Sequence, residues 1–181
     1  MARLPGRVPR SQVKTMSVRL HDVRRLPAAC VATATLSLDT HARGFVEITR
    51  QVRKFLEQIA AEEGIVFAYL RHTSASLVIQ ENADPDVRSD LTKALDRLAP
   101  ENAGWIHQSE GPDDMPSHVK TMLTGVSLHV PVVAGALELG TWQGIFVAEH
   151  RGRAHRREVV LQFVGVQTQR PADGSQPRLA R

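Results

Sequence analysis

Sulfur and aromatic rings are scarce in this sequence. Among 181 residues there is one cysteine, Cys30, so no internal disulfide can form and no CxxC pair exists for a structural zinc site. The expected setting is therefore reducing and cytoplasmic, and any metal must be held by His, Asp or Glu. The aromatic residues are five Phe, two Trp and one Tyr, with none in the basic segment before Cys30. A nucleic-acid face with stacking rings is not expected, and nucleic acid is not an expected partner. No stretch approaches the roughly 18 uninterrupted apolar residues of a membrane span, because His129, Pro131 and Glu138 break the best one, so no membrane association is expected. A nucleophile elbow, a P-loop and a dinucleotide fingerprint are all absent, which disfavours covalent catalysis, and no organic cofactor is expected.

What is present is one domain's worth of core, at 42% hydrophobic residues. Charge divides it into three parts. Residues 1–29 hold seven basic residues and one acidic, residues 30–166 hold 13 basic and 17 acidic, and residues 167–181 hold three basic and one acidic. The expected organisation is a basic extension without fixed structure over 1–28, a domain over 29–166 and a loose tail over 167–181. The first fifteen residues lack the apolar run of about 7 to 15 residues that a secretory signal needs, so export is not expected and Met16 is a candidate start.

Within the domain, the alternating, β-branched run from Ala29 to Leu38 predicts a strand. Phe45, Ile48, Val52, Phe55, Leu56 and Ile59 recur at helical spacing and predict one amphipathic helix from Gly44 to Glu63, stopped by Gly64. Strands follow at Ile65–Leu70 and Ala75–Gln80. Asp84 as N-cap with Pro85 at the first helical position opens a second helix, whose stripe is Val87, Leu91, Leu95 and Leu98. A short third helix follows near Pro116, with Val119, Met122 and Leu123 as its packing side and Gly125 beyond its end. Strands at Val126–Val133, Ala136–Leu139, Trp142–His150 and Arg156–Val164 complete an α+β fold: a single compact domain with a mainly antiparallel, sandwich- or barrel-like β core, two longer helices and one short one.

Five polar clusters fall at the ends of these elements. His72-Thr73-Ser74 offers a proton carrier, two hydroxyls and turn amides, suited to phosphate oxygens or simply to capping a turn. Glu81, Asn82 and Asp84 set two carboxylates ahead of a helix, for Mg²⁺, a substrate hydroxyl or the N-cap. His107, Asp113, Asp114 and His118 place two imidazoles and two carboxylates close together, as ligands for a divalent ion or as acid/base groups. Trp142 and Gln143 lie between two glycines, where an indole can stack on a flat ring or pack as a turn residue. Glu149-His150 precedes Arg151, Arg153, Arg156 and Arg157, which read as a solvated hairpin face or, for one of them, as a phosphate clamp.

Three stretches in this order, HTSASLVIQENADPDVRSDL from His72, EGPDDMPSHVK from Glu110 and LGTWQGIFVAEH from Leu139, closely resemble the YjbQ family, also called the secondary thiamine-phosphate synthase family. The resemblance implies an α+β fold assembled as a homotrimer and a weak thiamine-phosphate synthase activity, a transferase reaction joining hydroxymethylpyrimidine diphosphate to thiazole phosphate with release of pyrophosphate. Carried over by position, the implied site is His72, Thr73, Ser74, Glu81, Asn82, Asp84, Asp113, Asp114, His118, Trp142, Gln143 and Glu149. On that reading His72, Glu81, Asp84 and His118 are catalytic, Thr73, Ser74, Asn82, Asp113, Trp142, Gln143 and Glu149 bind a small phosphorylated substrate, and Mg²⁺ sits on Glu81, Asp84 and Asp114. The residues fit two other readings. One is a metal-dependent hydrolase with Zn²⁺ or a similar ion on His72, His107, Asp114 and His118, and the other a non-catalytic module for small anions or assembly.

Overall fold

The computed structural model describes Arg25 and residues 27–168. Nearly all of the expected basic extension, Met16 and most of the tail lie outside the described residues. The alternation in Cys30–Asp39 does form a strand, β1, whose Cys30, Ala32, Ala34, Leu36 and Leu38 pack on the core while the residues between them face outward. It runs antiparallel to the last strand, β8 (Arg156–Gln167), with Cys30 opposite Gly165 and Asp39 opposite Arg156. Beyond β8 come β3 (Ala61–Leu70), β5 (Ser127–Val133) and the short β6 (Ala136–Leu137), giving a five-stranded sheet of order β1-β8-β3-β5-β6. A second sheet has the order β2-β7-β4, from β2 (Gly44–Glu47), β7 (Gln143–Glu149) and β4 (Ala75–Glu81). Every strand pairing is antiparallel. The core fills the space between the sheets with Val66, Leu70, Leu77, Ile145, Val147, Leu161 and Phe163, joined by Val52, Phe55 and Leu56 of helix α1 (Thr49–Gln58). Helices α2 (Pro85–Leu98) and α3 (Asp114–Thr124) pack on the smaller sheet. β7 is thus buried from Gly144 to Glu149, whereas an exposed strand would alternate.

Four expectations are corrected. The helix expected from Gly44 to Glu63 is only α1. Gly44–Glu47 pairs instead with β7, Phe45 opposite Ala148, and Ala60 turns the chain at φ +49° into β3. Gly64 is no helix stop: it faces Gly165 across β3 and β8, where an added Cβ would stand 2.4 Å from the Val164 carbonyl oxygen. Spacing alone missed this, because a short strand and a short helix in sequence can present apolar residues at the same intervals. In α3, Met122 is 78% exposed and Leu123 also faces out, while Asp114, Pro116, Ser117, Lys120 and Thr121 are buried. The helix lies on polar partners: Thr121 Oγ1 donates to the Ala75 carbonyl, Thr124 Oγ1 lies 2.6 Å from Ser76 Oγ, and Lys120 Nζ donates to Asp96 at 2.5 Å. Leu98, placed by its spacing in the α2 stripe, is exposed at the helix end.

Candidate functional site

Three connections meet at one end of the molecule: the turn 71–74 between β3 and β4, the loop running into α3, and the turn 150–155 after β7. Two buried acids fasten them. Glu149 at the end of β7 takes Arg157 Nε at 2.8 Å and Nη2 at 2.6 Å, Thr40 Oγ1 at 2.7 Å and the Arg151 amide at 3.0 Å. Burial alone would raise this carboxyl, but these donors outweigh it and hold Glu149 below the ordinary value. Arg157 also reaches Ser74 Oγ at 3.1 Å. Both Glu149 and Ser74 are therefore spent on fixing the turn.

Asp114, 2% exposed, is the second acid. Its Oδ1 is paired with Arg151 Nη1, and Arg151 Nε donates to Asp113 Oδ2 at 3.1 Å. Asp113 also accepts the Gly152 amide at 2.7 Å. Burial would raise the Asp113 carboxyl; the Gly152 amide and Arg151 together bring it below its ordinary value. Asp114 Oδ2 faces the other way, and two imidazoles converge on it: His107 Nε2 at 2.8 Å and His118 Nε2 at 3.3 Å. His118 lies one helical turn after Asp114 on α3. His107 comes from the loop, which is tied back by Trp105 Nε1 donating to the Pro100 carbonyl and Gln108 Nε2 donating to the Trp105 carbonyl.

The His118 ring carries a definite tautomer. Nδ1 lies 2.9 Å from the Thr73 carbonyl, which only accepts, so Nδ1 bears the hydrogen. In the neutral ring Nε2 is then a lone pair aimed at a carboxylate oxygen, which is repulsive unless a cation or a second proton lies between them. The donor atoms of His107, Asp114 and His118 all lie within 4.8 Å of one another. Ligands of one tetrahedral zinc ion stand roughly 3.4 Å apart, so small side-chain rotations suffice to close on an ion. His107 and His118 are open to solvent, which leaves a side of the cluster free for a further ligand.

His72 stands outside this triad. Its Nε2 accepts the Glu158 amide at 3.0 Å, and burial together with the Arg157 charge lowers its pKa, so the ring is neutral and offers Nδ1–H as a donor. His72, Thr73 and His118 line one open groove with Tyr69, Arg71 and Met122.

The remaining expected residues lie elsewhere. Ala75 pairs with Glu149 at one end of the β4–β7 ladder, and Glu81 pairs with Gln143 at the other. Six residue steps of about 3.4 Å set these ends roughly 20 Å apart. At the far end Asp84 caps α2 by accepting the Asp86 amide at 2.8 Å, Gln143 Oε1 accepts the Gly140 amide at 2.8 Å, and the Asn82 amide donates to the Trp142 carbonyl. Trp142 is 65% exposed. Within one chain, therefore, Glu81, Asn82, Asp84, Trp142 and Gln143 do not share a site with His72, Asp113, Asp114, His118 and Glu149.

A family model described as "UPF0047 protein YjbQ-like" matches residues 34–166. The chain belongs to the YjbQ-like UPF0047 family. The UPF0047 relative from Synechocystis sp. is 43% identical over 131 residues, covering 72% of this chain and 89% of its own, and YjbQ of Salmonella typhimurium is 43% identical over 132 residues, covering 72% and 96%. A solved YjbQ/UPF0047 structure from Clostridium acetobutylicum is similar with TM-score 0.67 at 34% identity, covering 72% of this chain and 98% of its own. Among the described residues, no helix of this YjbQ-like chain is long and apolar enough to cross a membrane.

In this YjbQ-like site sequence reasoning overlooked Thr40, gave His150 no role of its own and misread Arg151 and Arg157. The two arginines are buried ion-pair partners, not a solvated face. The one available signal was Arg151 directly after Glu149-His150, at the end of an almost wholly apolar strand where an arginine needs a buried carboxylate. His150 lies beneath the site with Nε2 2.7 Å from Ser76 Oγ, and burial foremost, then the Lys120 charge, lowers its pKa to about 4.

Proposed function

We propose that this YjbQ-like chain is a metal-dependent hydrolase of small phosphorylated substrates, with a divalent transition metal on His107, Asp114 and His118. The observation that carries this reading is the convergence of His107 Nε2 and His118 Nε2 on the one oxygen Asp114 Oδ2. Two imidazoles and one carboxylate form a donor set suited to zinc and its neighbours, and three protein ligands with an open side are typical of catalytic centres. A cation there would act as a Lewis acid toward a phosphate oxygen. His72 donates Nδ1–H to another phosphate oxygen from the same groove, and Thr73 holds His118 in its ligating tautomer.

Thiamine-phosphate synthesis, which the family resemblance implies, is the second reading. It calls for Glu81, Asp84 and Asp114 about Mg²⁺. The β4–β7 register separates Glu81 from Asp114 within one chain, and Asp84 is occupied as a cap. That reading therefore needs an assembly, such as the implied homotrimer, to bring one copy's Glu81 toward another copy's Asp114.

The test is metal content by mass spectrometry, on protein purified without added metal or a polyhistidine tag, together with phosphatase and thiamine-phosphate synthase assays. The expected result is stoichiometric transition metal and phosphatase turnover, both lost in His118→Ala. Wild type without metal after equilibration with Zn²⁺, or synthase turnover untouched by His118→Ala, would overturn the hydrolase reading.

A further inference from the structure

Arg151 is buried on the turn after β7, and each of its guanidinium nitrogens has a partner. Nη1 pairs with Asp114 Oδ1, Nε donates to Asp113 Oδ2 at 3.1 Å, and Nη2 donates to the Glu110 carbonyl at 2.8 Å. Its backbone amide is held by Glu149, and the following amide, of Gly152, donates to Asp113. One side chain thus joins the turn 150–155 to the loop that carries His107 and to the helix start that carries Asp114.

We infer that Arg151 is the positioning residue of the metal centre, an inference resting on the reading that His107, Asp114 and His118 hold the cation. A carboxylate free on both oxygens can rotate or chelate an ion through both. With Oδ1 fixed by the guanidinium, only Oδ2 faces the imidazoles, and Asp114 is set to ligate through one atom. The planar fork of arginine supplies directed hydrogen bonds to Asp113, Asp114 and Glu110 at once, and a lysine ammonium, a compact charge on a flexible stem, does not reproduce that geometry. Arg151 also balances Asp114 where almost no water reaches. The buried carboxylate is therefore held in place by the guanidinium whether or not a cation is bound. Through Glu110 and Asp113 the same residue sets the approach of the loop and so the reach of His107.

The test is titration of the full chain with Co²⁺, following both affinity and the visible d–d bands, in wild type, Arg151→Lys and Asp113→Asn, with circular dichroism and Tm confirming that each is folded. Loss of an outer-sphere partner weakens metal affinity by about 10- to 100-fold, so Arg151→Lys should bind Co²⁺ that much more weakly and with altered band intensity. Asp113→Asn, which removes one arm of the clamp, should fall between the two. If folded Arg151→Lys binds with wild-type affinity and spectrum, the positioning role is refuted while the metal reading stands. Should Arg151→Lys not fold, an unchanged affinity and spectrum in Asp113→Asn refutes it. Wild type that takes up no Co²⁺ overturns the hydrolase reading itself, and this inference with it.

Discussion

The two ends of the β4–β7 ladder carry the same kinds of residue and treat them oppositely. At the Glu149 end Glu149 and Asp114 are buried and Asp113 half-buried, each faces an arginine, and Glu149 and Asp113 are held below their ordinary pKa. At the Glu81 end the polar groups serve the backbone: Asp84 caps a helix, Gln143 closes a turn and Trp142 stands in solvent. Residue type decides which chemistry is possible. Burial among opposite charges decides where it is poised, because an interaction that water screens at one end is strong at the other.

The contrast can be broken most sharply at its charged end. Glu149→Gln leaves Arg157 buried without its counter-ion and should cost about 3 to 5 kcal/mol in urea unfolding, whereas Glu81→Gln should stay within about 0.5 kcal/mol. Similar costs at both ends would erase the distinction. The next effect is one of pH. His150 has its folded pKa lowered from 6.5 to about 4, so on acidification the unfolded chain takes the proton first. Stability should fall from about pH 6.5 down toward 4, by about 2 kcal/mol between pH 7 and 5. Glu149 and Asp113 add to this only at lower pH, because carboxyls held below their ordinary values lose their contribution as pH falls through the folded value. His150→Gln, which does not titrate, should flatten the pH 7 to 5 step, and a step that persists would assign it elsewhere. A smaller loss, about 1 kcal/mol, is expected for Asp84→Ala from the missing cap. Least affected is Trp142→Ala, with stability within about 0.5 kcal/mol of wild type and Co²⁺ affinity unchanged. A weakened Co²⁺ affinity in either of these last two variants would show that the ends are coupled.

Much of the fold was legible because local rules sufficed. The alternation in Cys30–Asp39 and the Asp84-Pro85 start of α2 both name their elements, and the Asp84 side chain accepts the Asp86 amide as an N-cap does. The split of Gly44–Glu63 into strand, helix and strand was not legible, since Phe45 is placed by its pairing with Ala148, a hundred residues away. Nor was the facing of α3. Met122 and Leu123 look like a packing stripe, but the surface beneath the helix presents the Ala75 carbonyl, Ser76 and Asp96, and Thr121, Thr124 and Lys120 answer them in turn. In the candidate site, His107, Asp114 and His118 were visible as ligand types in one short stretch. Their convergence on a single oxygen depends on Arg151, whose partners come from another part of the chain.

The placement of the two tryptophans makes each end optically distinct. Trp105 sits two residues before His107 with its indole bonded to the Pro100 carbonyl, while Trp142 lies exposed beside Gln143. In a Trp142→Phe protein all indole fluorescence comes from the loop that carries His107, and in Trp105→Phe all of it comes from the opposite rim. The chain thus contains its own pair of dyes, and a titration can be read as light from one end with the other as its internal blank.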